Sequence, residues 1–274
     1  MEKIDLEGRV VLITGASRGL GRAMAQALAE AGAKLVVSAP ASESEQLAQA
    51  ALEIDAATEP GTAHAVTGDI LSRTDCNRLR DAAIDHFGGL HVLVNNARRL
   101  HRGPGIPPDG NSLPIFKTDP AIWRETIEVN VVGTFQLTYA VVPHLMKQKW
   151  GRVINLTTSL GTMQRRHNSP YGVTKAALEA ATLIWAQDLD GTGVTVNSLI
   201  PGGASDSDPD RPPTRGLLPV TIMNATVVWL ASALSDGHTG GRYVGKLWDS
   251  SLPPEEAAKR ALEKPVFRPA SEAS

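Results

Sequence analysis

A doubly wound α/β fold is predicted for this chain, with one parallel sheet of about seven strands and helices on both faces. Three observations predict it. Short apolar segments alternate with longer amphipathic ones. The apolar segments are nearly continuous in Val, Ile and Leu, as strands buried on both faces read. A glycine-rich turn joins the first apolar segment to the first amphipathic one.

The predicted strands are RVVLITG (9–15), AKLVVSA (33–39), AHAVTGD (63–69), LHVLVNNA (90–97), GRVINLTTS (151–159), VTVNSLIPG (194–202) and GRYVGKLWD (241–249). After the first, Leu20, Ala23, Met24, Ala27, Leu28 and Ala31 recur at helical spacing, and Gly32 is a natural stop. Glu43–Ile54, Ser72–Phe87, Pro120–Met146, Pro170–Leu189 and Pro219–Leu234 read as helices in the same way. No repeat or boundary interrupts the alternation, so residues 1–274 read as one domain with a tail from about 255. Two Gly/Pro-rich loops, 98–119 and 202–216, leave the carboxyl ends of predicted strands. In such sheets that edge forms the ligand crevice.

Composition narrows the function classes. The chain is 42% hydrophobic and 20% charged, with a formal net charge of −2, so no global charge points to nucleic acid or an anionic membrane. The lone cysteine, Cys76, excludes an internal disulfide and reads as a small buried hydrophobe rather than a reactive thiol. The start MEKIDLEGRV is charged where a signal peptide needs an apolar core. No apolar run approaches the ~20 residues of a membrane span. A cytoplasmic protein with no membrane or nucleic-acid partner and no metal is expected.

In VVLITGASRGLGRA, Thr14 and Gly15 end a strand, and Ser17, Arg18, Gly19, Leu20 and Gly21 lead into a helix. The glycines let the backbone turn and approach a ligand closely. The helix N-terminus offers N–H groups and a positive dipole end to a pyrophosphate. The spacing Thr-Gly-x-x-x-Gly-x-Gly resembles the short-chain dehydrogenase/reductase signature. Further marks follow in the family's order: Asn95-Asn96-Ala97, Asn130, the segment NLTTSLG, Tyr171 four residues before Lys175, and Pro201-Gly202. The resemblance runs from about Leu6 to Asp249.

It implies a Rossmann-like fold, a nicotinamide cofactor and a small carbonyl or alcohol substrate. Cofactor contacts are expected from the glycine-loop residues and from Ala39, Asp69, Ile70, Asn95, Ala97, Tyr171, Lys175, Pro201 and Gly202. Asp69 alternatively caps the helix beginning near Ser72. NADP(H) is favoured over NAD(H). Ala39 stands where an acid would bind the ribose hydroxyls of NAD, the next acid is Glu43, and Arg18 resembles a clamp on a 2′-phosphate.

Interconverting a carbonyl and an alcohol needs a group that gives and takes a proton. An ammonium beside a phenol favours the phenolate. Residues four apart share a helix face, so Lys175 can serve Tyr171 in this way. Ser169 and Pro170 read as an N-cap and a first-turn proline. By resemblance, Lys175 also binds the nicotinamide ribose and Asn130 holds a relay water. The family's serine falls on Thr158, with Ser159 next to it. Neighbours on a strand face opposite sides, so one of the two hydroxyls is expected in the site.

Arg98 replaces a family glycine and begins a basic cluster with Arg99, His101 and Arg102. The cluster is either a lip for an anionic substrate or a solvated loop. A homodimer or homotetramer is implied by resemblance. Two other functions remain open on the same scaffold: an NAD-retaining epimerase or dehydratase, and a non-catalytic NADP sensor.

Overall fold

The computed structural model describes residues 4–100, 113–205 and 216–267. His101 and Arg102, most of the 98–119 loop and the last residues of the expected tail lie outside them. One eight-stranded sheet runs in the order β3-β2-β1-β4-β5-β6-β7-β8. Its strands are β1 (Val10–Thr14), β2 (Lys34–Ala39), β3 (Ala63–Thr67), β4 (Val92–Asn95), β5 (Gly151–Leu156), β6 (Val194–Ile200), β7 (Arg242–Val244) and β8 (Leu262–Glu263). The first seven are parallel, and β8 pairs with β7 antiparallel. In register, Val11 on β1 faces Leu35 on β2 and Val92 on β4. The order reverses beside β1, where β2 lies on one side and β4 on the other, so a crevice opens at the carboxyl edge there.

The helices are α1 (Gly19–Glu30), α2 (Ser44–Ala57), α3 (Arg73–Phe87), α4 (Pro120–Ile127), α5 (Thr134–Lys147), α6 (Leu160–Met163), α7 (Tyr171–Asp188), α8 (Asn224–Ala231) and α9 (Pro254–Ala261). Successive β1 side chains enter opposite cores. Val11 and Ile13 join Met24 and Leu28 of α1, Leu47 of α2 and Trp229 of α8. Val10 and Leu12 join Leu79 of α3 and Leu137 and Leu145 of α5. Burial of both sheet faces explains the unbroken apolar runs of the central strands.

Four expectations change. The Pro120–Met146 helix is divided by a π-helical stretch, Glu128–Gly133. Its wider turn belongs to backbone geometry that a 3.6-residue pattern does not reveal. The Pro219–Leu234 helix shrinks to α8, because Ile222 N–H bonds the Pro219 carbonyl and Asn224 N–H bonds the Thr221 carbonyl in turns before it. The chain from 254 to 263 is no tail: α9 buries Ala257, Ala258 and Ala261, and β8 extends the sheet. Two residues of β8 carry no periodicity to read, which is why about seven strands were expected.

Trp229 is fully buried, its ring centroid 5.0 Å from that of His238, 5.4 Å from Tyr243 and 6.2 Å from Trp248. Trp229→Ala is expected to destabilise the fold by about 3–5 kcal/mol, the usual range for an aromatic lost from a core. Thermal unfolding should show a midpoint lowered by roughly 6 °C or more.

Candidate active site

At the carboxyl end of β1 the chain turns through Gly15 (φ 63°) and Gly19 (φ 57°), a left-handed backbone that favours glycine. At Gly21 a Cβ would collide with the Gly15 carbonyl and the Asn96 amide, so only glycine lets α1 start this close to β1. Arg18 precedes α1 in an extended conformation, and no side chain caps the helix. Its first-turn N–H groups therefore lack a side-chain acceptor and suit a phosphate.

A cleft of about 610 Å³ opens beside this turn. Thr14, Gly15, Ser17, Arg18, Gly19, Leu20, Gly21, Ala39, Asp69, Ile70 and Ala97 all line it. This donor set fits the phosphates and adenosine of a dinucleotide. Asp69 does not cap α3. Its carboxylate accepts from Leu71 N–H, while the Ser72 hydroxyl accepts from Asp75 N–H as the N-cap. Cys76 is fully buried, its thiol pushed up to about 11 by burial and by Asp75 and Asp69.

Asn95 turns away from the cleft. Its amide donates to Thr138 Oγ1 (3.0 Å) and Asn155 Oδ1 (2.9 Å), tying β4 to α5 and β5. Asn96, which sequence reasoning passed over as a site residue, lines the cleft instead and donates to the Thr14 and Gly15 carbonyls at 2.7 and 2.9 Å. Strand alternation sets the two on opposite sides, but which side meets the cleft depends on the packing around β4.

Tyr171 is the first residue of α7 and is half-buried. The Ser169–Pro170 bond is cis, and Pro170 occupies the N-cap position in place of Ser169. The Ser169 hydroxyl accepts from the Trp123 indole N–H at 3.0 Å, so it serves α4 rather than α7. Lys175 is 2% exposed. Its Nζ donates to the Leu156 carbonyl at 2.7 Å and stands 5.8 Å from the Tyr171 ring centroid. Burial, with the nearby Arg98 charge, pushes its ammonium down from 10.5 to about 7, against an opposing pull from Glu179.

Asn130 lies in the π-helical stretch and is fully buried. Its Oδ1 accepts from Arg99 N–H at 2.6 Å, and its Nδ2 donates to the Arg99 carbonyl and to Thr174 Oγ1, both at 3.2 Å. The Thr174 hydroxyl in turn donates to the Tyr171 carbonyl at 2.7 Å. Asn130 thus joins the loop after β4 to the first turn of α7.

One turn past Lys175, Glu179 forms a buried ion pair with Arg242 of β7 at 2.9 Å. The Thr157 hydroxyl donates to Glu179 in a short bond, and Ser198 of β6 donates to it at 3.3 Å. Burial pushes the Glu179 carboxyl up, while these donors and Arg242 pull it down. Arg242 also donates to the Thr158 carbonyl at 3.1 Å, fixing the backbone where β5 leaves the sheet. Ser159 N-caps α6: its Oγ accepts from Thr162 N–H at 3.3 Å and lies 2.9 Å from Thr162 Oγ1. Pro201 and Gly202 follow β6 at the same edge, and the Pro201 carbonyl accepts from Lys246 N–H at 3.1 Å.

Of the expected basic lip, Arg98 lines the cleft, and Arg99 pairs with Glu125 at 3.0 Å. Replacing glycine by Arg98 introduces no left-handed strain, since the non-glycine residues with positive φ are Lys149 and His167 among the described residues. Cleft-lining residues absent from the expected cofactor contacts include Ser38, Ser42, Glu43 and Gly68.

Arg242→Met is expected to cost about 3–5 kcal/mol in urea unfolding, because it leaves a buried carboxylate unpaired. The double variant Glu179→Leu/Arg242→Met should recover more than half of that loss. The depressed Lys175 sets a second expectation. Between pH 7 and 10.5 the unfolded chain binds a proton there that the folded chain does not, so the penalty for burying the charge is full below pH 7 and fades as pH rises. Lys175→Met should therefore gain stability over the unaltered protein at pH 6.5, and unfolding midpoints should show the gap closing toward pH 10.

A profile of the short chain dehydrogenase family matches residues 9–212. The 3-oxoacyl-(acyl-carrier-protein) reductase FabG of Vibrio cholerae is 37% identical over 199 residues, 73% of this chain and 75% of the relative. Among solved structures, a chain from Shigella flexneri described as a short chain dehydrogenase, complexed with NADP, superposes with a TM-score of 0.78 at 25% identity, covering 89% of this chain and 100% of that one. The 3-ketoacyl-(acyl-carrier-protein) reductase of Brucella melitensis, complexed with NADH, has a TM-score of 0.75 at 27% identity, covering 87% and 96%. With the glycine cradle, the Tyr171–Lys175 pair and the parallel sheet already in place, these matches show that the chain belongs to the short-chain dehydrogenase family.

Proposed function

We propose that the protein is an oxidoreductase moving a hydride between a nicotinamide dinucleotide, NADP(H) in preference to NAD(H), and a small carbonyl or alcohol, with Tyr171 as general acid/base. The observation that carries this reading is the buried Lys175 ammonium, anchored on the Leu156 carbonyl beside the Tyr171 ring. Bound in the cleft, the dinucleotide supplies or accepts the hydride. The chain's own residues handle the proton. Tyr171 Oη gives it to the developing alkoxide or removes it from the alcohol. Lys175 supplies the positive charge that favours a phenolate. The Thr158 hydroxyl is assigned as the second donor to the substrate oxygen, because the Ser159 hydroxyl is engaged in capping α6. Asn130 is assigned to position the first turn of α7 and to hold a relay water.

The NADP(H) preference is supported by Arg18 in the cradle and by the methyl group of Ala39 at the end of β2. For the substrate, a cavity of about 380 Å³ borders Ser169 and Val173, on either side of Tyr171 in sequence. Leu113, Ile115, Phe116 and Met163 supply an apolar wall, and Arg165, Arg166 and His167 supply polar groups. An oxoacyl substrate carrying an anionic group fits this chemistry and agrees with the names of the ketoacyl reductase relatives. Phe135 and Tyr139 on α5 and Ile184 on α7 are 50%, 59% and 53% exposed, which supports a homo-oligomer built on these helices. No described helix is long and apolar enough to cross a membrane. A cytoplasmic location is part of the same proposal.

The test is NADPH absorbance over a panel of carbonyl substrates. Tyr171→Phe should lower kcat/KM by about a thousandfold, with dinucleotide binding by fluorescence within threefold of the unaltered protein. Unchanged turnover in Tyr171→Phe would refute the assignment. Tightly retained cofactor without net redox turnover would favour the epimerase or dehydratase, and binding without turnover the sensor.

A further inference from the structure

We propose that Glu43 tunes how the cleft discriminates a 2′-phosphate from a free ribose diol, by occupying the two groups a phosphate would use. The proposal rests on the reading that the cleft binds a pyridine dinucleotide. Ala39 ends β2 with a methyl group, and the chain then turns through Pro40 into a single 3-10 turn, Ala41–Glu43. Glu43 N–H bonds the Pro40 carbonyl at 2.9 Å, which fixes the acid on the cleft wall four residues beyond the strand. The acid therefore comes from a turn, at a position that strand register does not mark.

Its carboxylate is not left to solvent. Oε2 accepts a short hydrogen bond from the Ser17 hydroxyl, and Oε1 lies 3.7 Å from the Arg18 guanidinium. The Glu43 side chain is 31% exposed and that of Arg18 50%, so both can still meet a ligand. All three residues line the cleft. Ser17 and Arg18 are the donors nearest the start of α1, and both are engaged by one anion of the chain itself.

Two ligands respond to that arrangement in opposite ways. A phosphate monoester carries close to two negative charges and only acceptor oxygens. To use Ser17 it must displace the Glu43 carboxylate, at Arg18 it must share with that carboxylate a guanidinium whose charge is already partly neutralised, and the carboxylate's own charge stays nearby. A ribose diol carries O–H donors, which a carboxylate can accept while it keeps Arg18. Glu43 thus subtracts from the preference for the phosphorylated cofactor that Arg18 would otherwise confer, and the chain accepts both forms with a narrowed ratio.

The experiment is direct titration of NADPH and NADH, followed by nucleotide fluorescence and calorimetry without turnover, on the unaltered protein, Glu43→Gln, Arg18→Gln and the double variant. Glu43→Gln should tighten NADPH by roughly tenfold while NADH changes less than threefold or weakens. In the Arg18→Gln background the same substitution should give a clearly smaller gain in NADPH affinity, because the contested cation is gone and only the competition at Ser17 and the carboxylate's repulsion remain. The gain should also shrink in 0.5 M salt. An unchanged NADPH/NADH ratio in Glu43→Gln, or a full gain persisting without Arg18, would overturn the proposal while leaving the dinucleotide site intact. Failure of both nucleotides to bind the unaltered protein would remove the dinucleotide reading and this proposal with it.

Discussion

The buried pair between Glu179 and Arg242 governs the geometry of the carboxyl edge. Its two charges join α7 to β7, and their remaining hydrogen bonds reach Thr157 and Thr158 after β5 and Ser198 on β6. Taking two charges out of water is costly, and such a pair persists when its other lone pairs and protons are also satisfied. Here they are. The Glu179 carboxylate accepts from two hydroxyls as well as from Arg242, and Arg242 also meets Glu263 on β8 at 3.3 Å. A strand as short as β7 gains a defined register from this clamp, and β5 gains a fixed exit.

The same helix face carries the residues to which the chemistry is assigned. Tyr171, Lys175 and Glu179 follow at successive four-residue steps on α7, so each stands about one turn from the next. Burying the Lys175 ammonium weakens its hold on a proton, and the Glu179 carboxylate partly restores it. A single carboxylate links the clamp and this lysine. It anchors β7 through Arg242, which also holds the Thr158 carbonyl, and it raises the affinity of Lys175 for its proton.

In the cleft beside β1 the backbone does most of the work. Thr14, Gly15, Gly21 and Asn96 pack so closely that the loop after β1 and the loop after β4 form one surface. Charge is then distributed on that surface by Arg18 after β1, Glu43 after β2, Asp69 after β3, Arg98 and Arg99 after β4, and Glu125 on α4. The electrostatics toward a ligand follow from how these groups balance, and not from any one of them.

The apolar runs, their spacing and the glycine turn were enough to determine a parallel sheet, its first seven strands and the cradle at its carboxyl edge. Those features depend on local chemistry: side-chain period, glycine backbone freedom and helix dipoles all act over a few residues. The pairing of Tyr171 with Lys175 was legible for the same reason, since a helix brings the two together. Only the tertiary structure decided which of Asn95 and Asn96 faces the cleft, that Ser159 spends its hydroxyl on α6, and that the chain beyond 254 packs onto the sheet. It alone brought Glu43 to Arg18 and Glu179 to Arg242, separated by 25 and 63 positions respectively, a pairing by charge across loops and strands that no local period records.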